Sequence, residues 1–194
     1  MTKLQEINKQ AALHISDSLS KLTDRDVEVS IAKAEEKTLE EFSPIMGPEE
    51  MVAGIHLAVT GPLEGGALLI LPQETAFTLS DLLVKRELGT TRMFTELDES
   101  ALKEMGNIIT ANYLTVFSNM LEVKIIEHTP QFSFDMFGAI VTQIIAKFVQ
   151  DHGEMLVIEM EFFFLSKVFK GYFILLFSLE KFNAIADRQL NIIN

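Results

Sequence analysis

The chain has 194 residues, 48% of them hydrophobic with 15 Phe, so it can bury a core of ordinary single-domain size. Its formal net charge is −12. That opposes binding to a nucleic-acid backbone or an anionic membrane surface, because both require a basic face. With no cysteine, disulfides and thiolate metal sites are excluded. The N-terminus MTKLQEINKQ is polar and has no apolar signal core, and no apolar run reaches bilayer length. A cytoplasmic location is the expectation.

In chain order, Leu4, Ile7, Ala11, Ile15, Leu19 and Leu22 recur at helical spacing and predict a helix over about 3–23. DVEVSIAKAE alternates as a strand does. EEKTLEEFSPIMGPEE is acidic with two prolines and reads as a surface loop with a short helix at its end. GIHLAVTG and GALLILP are strands joined by the turn GPLEGG. That glycine-rich turn lacks the Lys-Ser/Thr ending of a phosphate-binding loop. ETAFTLSDLLVKREL is a helix that Gly89 can end.

Thr95 and Asp98 form a capping-box pattern ahead of a second long helix, which contains ESALKEMGNIITANYLTVFSNM. VKIIEHT reads as a strand and DMFGAIVTQIIAKFVQ as an amphipathic helix. MLVIEMEFFFL and KGYFILLFSL form a second strand pair, with the run Phe162–Phe164 as buried strand, and EKFNAIADRQLNII is a terminal helix. The order of helix, strand, two strands and helix therefore occurs twice. An offset of 98 residues carries Glu6 onto Glu104 and Ser20 onto Ser118. The reading is one α+β domain over 1–194, built of two internal repeats at about 1–96 and 97–194. It has a pseudo-two-fold axis, one mixed or antiparallel sheet and two long neighbouring helices. The alternative is coincidence between two amphipathic helices.

Ser100, Glu104 and Asn107 lie at i, i+4 and i+7 on one helical edge, away from the apolar stripe of Leu102, Met105, Ile109, Tyr113 and Val116. A carboxylate beside a carboxamide suits the aiming of a water and the steadying of an oxyanion, not proton abstraction. The same edge also fits an ordinary solvated helix face. His14, His56, His128 and His152 have no metal-ligand spacing.

Ser100-x3-Glu104-x2-Asn107-x22-Pro130, with ALKEMGNI around it, resembles the signature of the CheC, CheX and FliY family of chemotaxis phosphatases. The duplicated layout is also that of the family. The resemblance implies hydrolysis of the aspartyl phosphate on a CheY-type response regulator, with Asn107 orienting the attacking water and Glu104 docking against the regulator's lysine. Ser100 and Pro130 support the motif. No cofactor of its own is implied, and Mg2+ would belong to the regulator. In the first half Glu6 is kept, but Lys9 stands where Asn would be and Ala32 where Pro would be. That site is read as degenerate, since a lysine would meet the regulator's cations with like charge. A non-catalytic adaptor that holds the regulator is the alternative, and a flagellar-switch component like FliY is a third. Some relatives bind CheD through a helix near 136–150, although core packing is the primary expectation for that segment.

Overall fold

The computed structural model describes residues 3–146, 148, 154–178 and 180–185. Helix α1 (Lys3–Thr23) leads into β1 (Glu28–Thr38), a short helix α2 (Leu39–Phe42) and a 3-10 turn (Ser43–Ile45). The hairpin β2 (Met51–Thr60) and β3 (Gly65–Pro72) follows, then α3 (Gln73–Leu83). The second half starts with α4 (Glu96–Leu121), then the two-residue strand β4 (Ile126–Glu127) and β5 (Gln131–Met136). Helix α5 (Phe137–Ile140) continues as a π-helical turn (Val141–Ile145) before the hairpin β6 (Glu154–Phe164) and β7 (Lys167–Phe177).

The strands form one sheet in the order β1-β6-β7-β3-β2-β4, with β5 also on β2, and every pairing is antiparallel. Exchanging β1 with β5, β2 with β6 and β3 with β7 reproduces this order from the other end. The pseudo-two-fold axis therefore passes between β3 and β7, and both hairpins are central. β3 is buried from Gly66 to Leu71 because both of its faces are covered. β1 is an edge strand, and Lys33, Glu35, Glu36 and Lys37 along it discourage pairing with another sheet.

Each face of the sheet has its own core. α1, α3 and α4 cover one face, where Ile7, Ile15, Ile55, Leu69, Met105, Tyr113 and Phe173 are buried. Phe42, Phe137, Ile140 and Ile145 close the other face over Val52, Ile70 and Ile174. Gly65 permits the close approach of β3 to β7. It has φ +156°, and a Cβ there would stand 1.8 Å from the Leu176 carbonyl oxygen.

Several boundaries differ from the sequence reading. The acidic stretch after residue 35 is not all loop. β1 runs to Thr38, and the Thr38–Glu41 capping box starts α2, which buries Phe42 edge-on against Phe137 at 5.6 Å. VKIIEHT contributes only Ile126 and Glu127 to the sheet, while the longer pairing on β2 belongs to Gln131–Met136. β5 takes Asp135 and Met136 from the expected helix, which begins at Phe137. Its apolar residues Phe137, Ile140, Val141 and Ile145 are core. Of the terminal helix, residues 180–185 are helical and 186–193 lie outside the described residues.

Candidate functional site

The polar ridge sits on α4, whose first turn is locked in place. Thr95 and Asp98 make the expected capping box. Asp98 does more than cap. Fully buried, its Oδ1 accepts hydrogen bonds from Ser80 Oγ and Arg86 Nη1, each at 2.6 Å, and its Oδ2 accepts from the Thr95 N–H at 2.8 Å. Burial alone would push this carboxyl up. The hydrogen bonds from Ser80, Thr95 and Arg86 together outweigh it and hold Asp98 well below the usual carboxylate range.

Neighbouring Asp81, also buried, accepts from the backbone N–H groups of Gly89 (2.8 Å), Thr90 (2.9 Å) and Thr91 (3.0 Å) and from Thr91 Oγ1 (2.6 Å). This wrapping is why α3 stops at Leu83 rather than at Gly89. The chain turns at Lys85, with φ 59°, and folds back over the Asp81 carboxylate. Two buried carboxylates thus fasten the end of α3 to the start of α4. Only the Thr95–Asp98 half of that clasp was legible, because Ser80, Asp81 and Arg86 meet their partners through the fold.

Further along α4, Leu102, Met105, Ile109, Tyr113 and Val116 are buried, as the stripe requires. Gly106 is buried as well, and a Cβ there would come 2.6 Å from Ile55 Cγ2 on β2. The absent side chain lets α4 press against the sheet beside Asn107. α1 is tied to α4 by Tyr113 Oη, which donates to Asn8 Oδ1 at 2.7 Å, and by Asn112 Nδ2, which donates to Ser18 Oγ at 3.2 Å.

On the outward edge of this fixed helix, Ser100 and Glu104 are exposed and Asn107 is half-buried. Among the described residues none of the three side chains is held by a hydrogen bond or ion pair. Ser100 and Glu104 line a shallow open groove of about 470 Å³ with Leu83, Val84, Lys85, Leu97 and Ala101. Pro130 is half-buried and immediately precedes β5, the edge strand on β2.

In the first half, Lys9 is exposed and Glu6 accepts a hydrogen bond from Gln10 Nε2 at 2.8 Å. Lys9 and Ala32 line one groove of about 620 Å³ between α1 and β1. The structure therefore brings together the two residues that an offset of 98 aligns with Asn107 and Pro130. Among the described residues no group of three His, Asp or Glu side chains is arranged to hold a metal, and no helix is long and apolar enough to cross a membrane. His128 Nε2 lies 3.1 Å from Thr60 Oγ1, burial lowers the pKa of half-buried His56, and His152 lies outside the described residues.

The polar groups of α4 lie on an open ridge, not in a pocket that encloses a small molecule. Comparison with known proteins agrees with this geometry. Residues 97–133, which hold the whole motif, match the model of the CheC-like family. The chain is 25% identical over 170 residues to the CheY-P phosphatase CheC of Bacillus subtilis, covering 84% of this chain and 79% of that protein. It is 22% identical to CheC1 of Halobacterium salinarum over 128 residues, 66% of this chain and 65% of the relative. Its fold is that of Thermotoga maritima FliY, with a TM-score of 0.79 at 20% identity over 96% of this chain and 93% of that one. The FliM middle domain from H. pylori shares it at a TM-score of 0.69 and 15% identity, over 94% of each chain. CheX in the CheX–CheY–BeF3–Mg2+ complex of Borrelia burgdorferi matches at 0.53 and 16%, over 86% of this chain and 96% of that one. Residues 97–133 thus resemble the CheC-like family in sequence, and the fold is one shared with FliY and the FliM middle domain.

Proposed function

We propose that this protein removes the aspartyl phosphate from a CheY-type response regulator in chemotaxis or motility signalling. The observation that carries the reading is the pairing of Glu104 and Asn107. Both are unengaged on one outward edge of a helix that Gly106 and the Asp98 clasp hold in place. Further support comes from the CheC relative named a CheY-P phosphatase and from the CheX–CheY complex, whose fold is similar.

In this reading α4 docks over the phosphorylated site of the regulator. The Asn107 carboxamide accepts a hydrogen bond from the attacking water with its oxygen, while its amide N–H groups steady the phosphoryl oxygens. Water oxygen bonds to phosphorus, the bond from phosphorus to the aspartate oxygen breaks, and both water protons leave with inorganic phosphate. No side chain of this protein needs to act as a base, because positioning and charge compensation carry phosphoryl transfer. Glu104 supplies a carboxylate for a cation of the regulator. Any Mg2+ would be held by the regulator. Ser100 belongs to the same helix edge and Pro130 completes the motif in sequence, while in the first half Glu6 is kept and Lys9 takes the place of the carboxamide. The halves 1–96 and 97–194 are read as repeats of one unit.

The second reading, an adaptor that holds the regulator without hydrolysing it, is favoured by one observation. The same fold serves the FliM middle domain, which one H. pylori structure holds in a FliG–FliM complex. Phosphate release from a phosphorylated CheY-type regulator separates the two. Acceleration by wild-type protein is expected, with Glu104→Ala weakening association more than turnover at saturation. Binding without any acceleration would make the protein an adaptor.

A further inference from the structure

Leu97 stands on the first turn of α4 with 60% of its surface exposed. A single exposed leucine is ordinary on a protein surface. Its placement is what matters. Seven residues span nearly two helical turns, so Leu97 lies on the same stripe as Glu104, roughly 10 Å before it and about 15 Å before Asn107 along the axis. Leu97 and Ala101 share the groove of about 470 Å³ with Leu83, Val84, Lys85, Ser100 and Glu104. Lys85 Nζ is paired with Asp24, so the cation at the groove is already engaged. What remains is an apolar surface with a free carboxylate, Glu104, at its rim, and exposed Glu96 stands beside Leu97. An ordinary protein interface covers about 800 Å² per partner, a patch roughly 30 Å across. A partner centred on Glu104 therefore covers both Asn107 and Leu97.

Resting on the function proposed above, we infer that Leu97 and this groove are the apolar anchor for the response regulator. The occupant is a surface of the regulator that carries an apolar side chain next to a basic one. The apolar group packs on Leu97, Val84 and Ala101, and the cation meets Glu104. Covering exposed apolar surface removes it from water and adds to the binding that Glu104 supplies. The groove divides the work of the ridge. Leu97 and Glu104 set how tightly the regulator is held, and Asn107 sets how fast the held phosphate leaves.

The test uses the full chain as wild type, Leu97→Ala and Leu97→Asp. Each is titrated with a beryllofluoride-activated CheY-type regulator and assayed for phosphate release from the phosphorylated regulator. Leu97 is exposed, so its replacement leaves the fold intact, which circular dichroism checks. Leu97→Ala is expected to weaken binding about fivefold and Leu97→Asp at least about tenfold. KM rises in step, and turnover at saturation moves far less. A merely structural role would not give that split. If both variants bind the activated regulator as wild type does, the anchor is overturned while the phosphatase reading stands. If wild type binds but does not hydrolyse, the function falls and the titration still decides the anchor. If wild type does not bind at all, both fall.

Discussion

The two long helices lie side by side on one face of the sheet, and their outer edges differ. α4 presents Ser100, Glu104 and Asn107 without partners among the described residues, whereas α1 presents Lys9 and a Glu6 tied to Gln10. The packing behind those edges differs too. Where α4 has Gly106 against Ile55, the aligned position of α1 is Asn8, whose carbonyl holds the Tyr113 hydroxyl. The start of α4 is anchored by buried Asp98, which takes hydrogen bonds from Ser80 and Arg86. One scaffold thus carries an unpaired carboxylate and carboxamide on one helix and, on the other, a tied glutamate with a lysine in the carboxamide's place. The difference lies in a few positions, not in the fold.

The largest stability effect is expected at the anchor of α4. Asp98→Ala removes the cap and leaves Ser80 and Arg86 without their shared acceptor. It should cost about 2–4 kcal/mol in urea unfolding, reduced from a fully buried pair because Arg86 is partly exposed. Glu6→Ala, on the outer edge of α1, should change stability by less than about 0.5 kcal/mol. The same anchor predicts a pH response. The folded pKa of Asp98 lies below its unfolded value, so its contribution is complete above about pH 4 and fades as pH falls below that. Asp98→Asn should therefore flatten the acid limb of the unfolding profile.

Next in size is the close approach at the site. Gly106→Ala places a methyl 2.6 Å from Ile55 Cγ2, a buried β-branched side chain with little room to move. A loss of about 1–3 kcal/mol is expected, and Ile55→Ala, which removes the clashing Cγ2, should cost less in the Gly106→Ala background than in wild type. An unchanged melting curve would mean that α4 does not press on the sheet as described. The smallest effect is a gain. Thr110 is fully buried and, among the described residues, its hydroxyl has no partner. Thr110→Val keeps the shape, removes that orphan group and should raise stability by about 1 kcal/mol.

What could be read from the chain was local. The α1 and α4 stripes, both hairpins and the Thr95–Asp98 cap follow from spacing within single elements, and the Ser100–Asn107 edge is a property of one helix. What could not be read depends on residues meeting through space. Asp81 ends α3 early by gathering N–H groups eight to ten residues downstream. β5 alternates only over Gln131–Asp135 and runs straight into apolar Phe137, so the helical pattern absorbed its end. Phe42 sits in an acidic stretch that looked solvated, and its burial comes from Phe137 and the rest of the core on the second face of the sheet.

On the function proposed above, the Asn107 carboxamide, whose place on α1 is taken by Lys9, acts on the phosphoryl group. Phosphate release from a phosphorylated CheY-type regulator, measured side by side for wild type, Asn107→Ala and Lys9→Ala, tests it most directly. Losing one oriented group costs about a hundredfold in turnover or more, so Asn107→Ala should fall by that factor, with affinity for the activated regulator nearly kept. Lys9→Ala should match wild type. An Asn107→Ala protein that hydrolyses as fast as wild type would contradict the account.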